Sequence, residues 1–67
     1  MNFNGEELML MMLYNTGTRL GLMQELRLMQ CYLMPDETAL RELSESVIAK
    51  LKLMTDAQFA EVEFPMN

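Results

Sequence analysis

ETALRELSESVIAKLKL, residues 37–53, decides the fold. Within it Leu40, Leu43, Val47 and Leu51 recur at spacings of three, four and four, and Ile48 and Met54 extend the stripe. Positions three and four apart share one face of an α-helix, whereas a half-buried strand alternates at every second residue. Glu42 and Glu45 read as a solvated face. The stretch therefore predicts a helix with one apolar side that needs apolar partners to cover it.

Working outward, the upstream segment supplies such a partner. Leu22, Leu26, Met29 and Leu33 lie at spacings of four, three and four, with Leu20 and Met23 widening the face, which predicts a helix over residues 19–33 with Thr18 as its N-cap. Gly21 costs about 1 kcal/mol relative to Ala in a helix interior, so it marks either a close approach of the first helix or a tolerated residue. The sequence Met34-Pro35-Asp36-Glu37 separates the two helices, because Pro disfavours helical geometry in the residue before it.

At the N-terminus Asn4 can cap a helix over residues 5–14, and Glu6 and Glu7 suit its positive end. Asn15-Thr16-Gly17 then reads as a helix stop and turn. At the other end Thr55 and Gln58 have the spacing of a capping box, which predicts a short helix over residues 56–61 that carries Phe59 back to the bundle. Pro65 excludes a long continuation, and residues 62–67 are expected to fray. The fold class is all-α: one small antiparallel three-helix bundle with a short fourth C-terminal helix.

Composition agrees with helix and narrows function. The chain has 67 residues, nine of them Met, and about half are hydrophobic. Unbranched apolar residues favour helix over strand. A domain this small buries only about 60% of its unfolded surface, so a lone core of this kind yields roughly 3–5 kcal/mol of stability. Ten acidic residues against five basic ones leave a net charge of −5, and Arg19, Arg27, Arg41, Lys50 and Lys52 are dispersed among carboxylates. Tight phosphate-backbone binding needs clustered cations, so direct nucleic-acid binding is disfavoured, and the same charge repels an anionic membrane surface. The longest apolar run, Leu8–Tyr14, is far shorter than the roughly 20 residues that span a bilayer. A single Cys and the lack of a signal-peptide pattern point to a cytoplasmic protein.

No catalytic constellation emerges. The absence of His removes imidazole acid–base chemistry and His-based triads, and one Cys without His cannot build a zinc site. Cys31 has no imidazole to activate it and reads as a small packed hydrophobe. The carboxylates lack the calcium-loop pattern, and Asn15-Thr16-Gly17-Thr18 lacks the Lys-Ser/Thr of a phosphate loop. The chain reads as a binding protein, with no catalytic, cofactor or metal residues.

Helix one carries the most informative anomaly. Leu8-Met9-Leu10-Met11-Met12-Leu13-Tyr14 is apolar on every side, whereas a peripheral helix needs one apolar stripe only. Either this helix is enclosed by the others, or Met9, Met11, Met12 and Tyr14 contribute to a surface for a protein partner, for which the adaptable thioether is well suited. Arg19 and Arg27 on helix two are weaker candidates for nucleic-acid contact, of the kind a helix-turn-helix protein makes with its second helix.

Three blocks together carry a resemblance: Leu13-Tyr14-Asn15-Thr16-Gly17-Thr18-Arg19, Tyr32-Leu33-Met34-Pro35-Asp36-Glu37-Thr38-Ala39-Leu40, and Leu53-Met54-Thr55-Asp56-Ala57-Gln58-Phe59-Ala60. The chain resembles, over nearly its whole length, the transposon-transfer assisting proteins, short proteins encoded on conjugative transposons of Clostridia-like bacteria. The resemblance implies an accessory role in transfer of a mobile element and brings no catalytic residues. The expected partner is a protein of the transfer machinery, with a homodimer as a further arrangement. The alternative is a small DNA-binding or regulatory module acting on transposon DNA, and an inhibitor that masks a basic surface by acidic mimicry is a third reading.

Overall fold

The computed structural model describes residues 3–64, which form four helices and no strand. Helix α1 spans Gly5–Tyr14, α2 spans Arg19–Cys31, α3 spans Thr38–Leu53 and α4 spans Asp56–Ala60. The three long helices pack against one another, and α3 lies against both α1 and α2. The all-α expectation holds.

Helices α1, α2 and α4 start where a side chain satisfies a free amide of the first turn, whereas Glu37, the residue ahead of α3, makes no side-chain cap. Asn4 Oδ1 accepts from the Glu7 amide at 2.8 Å, and the Asn4 amide donates back to Glu7 Oε1 at 2.9 Å. Thr18 Oγ1 accepts from the Gly21 amide at 3.0 Å, and Thr55 with Gln58 forms the expected reciprocal box at 3.1 and 2.9 Å. Between α1 and α2 the chain reverses through Gly17, whose φ of +95° favours glycine. Asn15 Oδ1 accepts from the Gly17 amide at 2.8 Å and holds this turn.

Helix α2 ends at Cys31, two residues before the expected Leu33. The amides of Tyr32 and Leu33 donate to Met29 and Gln30, three residues back, so the helix tightens and closes. Residues 34–37 then make a turn closed by the Glu37 amide on the Met34 carbonyl at 3.0 Å, with Pro35 at its second position. That turn moves the start of α3 from Glu37 to Thr38.

The core joins Leu10 and Met11 of α1, Leu22, Met23, Leu26 and Met29 of α2, Val47, Ile48 and Leu51 of α3, and Met54 and Phe59 beyond it. Leu20, expected on the buried face, is exposed, as is Cys31, whose thiol donates to the Arg27 carbonyl at 3.5 Å. Both lie about 130–155° around the helix from the centre of the buried stripe, too far to reach α3. The C-terminal expectation also changes. Val62 and Phe64 are half-buried against the core, so these two side chains pack rather than fray, while Glu63 between them is exposed; residues 65–67 lie outside the described residues.

Candidate protein interface

The orientation of α1 is set by one buried carboxylate. Glu7 sits at the third position of the helix, where its backbone belongs to the capping box, and its side chain points into the seam with α3. There Ser46 donates to Oε2 at 2.7 Å and Lys50 to Oε1 at 2.7 Å. Ser46 and Lys50 are four apart on α3 and present one face, so they grip a single carboxylate together. Burial pushes the Glu7 carboxyl up, but the Lys50 ammonium, the Asn4 amide and the Ser46 hydroxyl outweigh it and hold the pKa below its ordinary value. The Lys50 ammonium also lies 5.6 Å above the Phe3 ring.

With Glu7, Leu10 and Met11 turned inward, the helical repeat dictates what faces out. Met9, Met12 and Leu13, related by steps of three and four, occupy the opposite side and are 54%, 38% and 78% exposed. Three large apolar side chains thus form one stripe with no covering element among the described residues. Of the four residues singled out for a partner surface, Met9 and Met12 are on this stripe. Met11 is fully buried and belongs to the core, because it shares the Glu7 side of the helix. Tyr14, one turn beyond Leu10 and Met11, is half-buried against the core.

Leu13 was missed by sequence reading, although its position four residues after Met9 was the available signal. Leu53 was also missed, since it lies in the last turn of a helix read as cleanly amphipathic. It is 75% exposed and lines a cleft of about 740 Å³ with Phe3, Leu8 and Val62. Glu61 and Glu63 complete the rim. Leu8 connects this cleft to the outer stripe, because Met12 follows it by one helical turn.

The two arginines proposed for nucleic acid have different surroundings. Arg19 is committed within the fold: its Nε donates to Asp56 Oδ1 at 2.8 Å and a terminal nitrogen donates to the Leu51 carbonyl at 2.9 Å. Arg27 is exposed beside a smaller groove between α2 and α3, shared with Gln30, Glu45 and Lys52. The described residues bring no group of His, Cys, Asp and Glu together in a geometry that could hold a metal ion. Nor is any described helix long and apolar enough to cross a membrane.

A family model described as "Putative transposon-transfer assisting protein" matches residues 3–65. Comparisons with curated proteins and with solved structures find no match.

Proposed function

The chain belongs to the transposon-transfer assisting protein family, and from that premise we propose that it is a non-catalytic accessory which assists transfer by docking on a protein of the transfer machinery. The observation that carries this reading is the outward stripe of Met9, Met12 and Leu13 on α1. Single exposed apolar residues are ordinary, but a contiguous group on a helix whose other side already fills the core is a surface that folding does not require. Flexible, polarizable methionines suit a partner of irregular relief. The site of action is the cytoplasm.

Direct DNA binding is less well supported. Arg19 satisfies a helix-end carbonyl and pairs with Asp56, and the chain carries twice as many acidic as basic residues.

The test is capture of partners from cells carrying the active element, with and without nuclease, using the wild type and Met9→Glu/Met12→Glu. Recovery of a transfer protein that resists nuclease and falls by roughly 30-fold in the variant, as expected for loss of a hot-spot group, supports docking. An unchanged thermal transition in the variant shows that the fold is intact. Recovery that depends on nucleic acid, or is indifferent to the substitutions, overturns the proposal.

A further inference from the structure

The docking stripe and the cleft are physically continuous, and the charge around them selects the occupant. Leu8 belongs to both: it lines the cleft with Phe3, Leu53 and Val62, and it precedes Met12 by one turn of α1. An apolar track therefore runs from Leu53 across Leu8 to Met12, Met9 and Leu13. Its borders carry more acid than base, because Lys50, whose ammonium lies 5.6 Å from the Phe3 ring, is already paired with Glu7. Glu61 and Glu63 line the cleft at one end, and Glu6, exposed and three residues before Met9, flanks the stripe.

Glu6 favours the positive end of α1, but none of the three carboxylates is held in an ion pair. Among the described residues the ion pairs are Arg19 with Asp56 and Lys50 with Glu7, so Glu6, Glu61 and Glu63 have no cation within ion-pair distance. Helix α1 itself contains no Lys or Arg. A second copy of this chain would bring one acidic border against another under a net charge of −5 per molecule. An acidic or neutral partner would leave the rim uncompensated. A helix with one apolar side and Lys or Arg flanking it satisfies both features, with its apolar side on the track and its cations over the rim.

We infer that the surface formed by the α1 stripe and the adjoining cleft receives a basic amphipathic helix of the partner protein. This inference rests on the docking reading above and adds the partner's chemistry. Charge on the rim sets specificity and encounter rate, while the apolar track sets how long the complex lasts.

The experiment uses the full chain and two fluorescein-labelled probe peptides, identical amphipathic helices of Leu with either Lys or Glu on the polar side, followed by fluorescence anisotropy. The Lys peptide is expected to bind saturably and at least about tenfold more tightly than the Glu peptide, the margin that a few rim pairs provide. Glu61→Lys/Glu63→Lys should remove most of that preference. Glu37→Lys/Glu42→Lys alters net charge equally, at positions about three (Glu42) and more than about four (Glu37) helical turns from Leu53, and should leave most of it. Met12→Glu and Leu53→Asp should each abolish saturable binding, and near-equal thermal transitions will confirm that the variants are folded. Equal affinity for both peptides, no saturable binding of the Lys peptide, or equal loss in the two charge-reversed variants overturns the basic-helix inference but leaves transfer-protein capture as an independent result. Binding insensitive to Met12→Glu overturns this inference and, if capture is equally insensitive, the docking reading with it.

Discussion

Gly21 is the third residue of α2, at a point where a Cβ would collide with the side-chain oxygens of Thr16 and Thr18. The crowding is consequential because Thr18 Oγ1 already accepts the Gly21 amide as the N-cap of the helix. Helix propensity alone favours Ala over Gly by about 1 kcal/mol, whereas displacing the cap costs about 1 kcal/mol and the collision adds strain. Gly21→Ala should therefore destabilise the protein by about 1 kcal/mol in urea denaturation, opposite in sign to the propensity expectation. In a Thr16→Ala background the penalty should shrink, since one of the colliding oxygens is gone. A stabilised Gly21→Ala would show that the turn moves aside without losing its cap. Sequence reading marked Gly21 as a possible close approach but pointed to the first helix. The neighbour is the preceding turn, and two Thr positions did not reveal which way their hydroxyls face.

Among the elements, α2 and α3 were legible because their apolar residues repeat on one side and their flanking residues punctuate clearly. Helix α1 was not legible in the same way. With Leu or Met at nearly every position, periodicity could not fix its rotation, and Met11 was placed with Met9 and Met12 although it is core. The deciding residue was Glu7, whose burial follows from Ser46 and Lys50, some 40 positions later in the chain. Arg19 is a similar long-range link: it joins the start of α2 to the last turn of α3 and the start of α4. Its pairing with exposed Asp56 contributes little. Its bond to the Leu51 carbonyl supplies a helix-end acceptor with a partner. Arg19→Met should accordingly lower stability by about 1–2 kcal/mol, while Arg27→Met, on open surface, should change it by less than about 0.5 kcal/mol. Chemical denaturation of the pair measures both. Equal losses would mean that the contacts of Arg19 contribute nothing beyond an exposed cation.

For the molecule as a whole, the seam between α1 and α3 connects stability to pH. The folded Glu7 carboxyl titrates below its ordinary value of 4.5, because ionisation completes its bonds with Lys50, Ser46 and the Asn4 amide. The sign follows directly. Above the unfolded value both states are ionised and the full contribution is present; as pH falls through the depressed folded value, the native state must take up a proton and the contribution is lost. Net charge complicates the raw curve, since acid also relieves the repulsion of a −5 chain. Glu7→Gln isolates the charge, because Gln at the third helical position can still return the capping-box bond to Asn4, while Lys50, 30% exposed at its side chain, can turn to water. The variant should be less stable than wild type by about 2 kcal/mol near neutrality. That gap should narrow as pH falls below 4.5 and close once the folded carboxyl takes up its own proton, if the seam is the cause. A gap independent of pH would place the loss in packing rather than in the ionised pair, and a gap that widens in acid would reverse the assigned direction of the Glu7 shift.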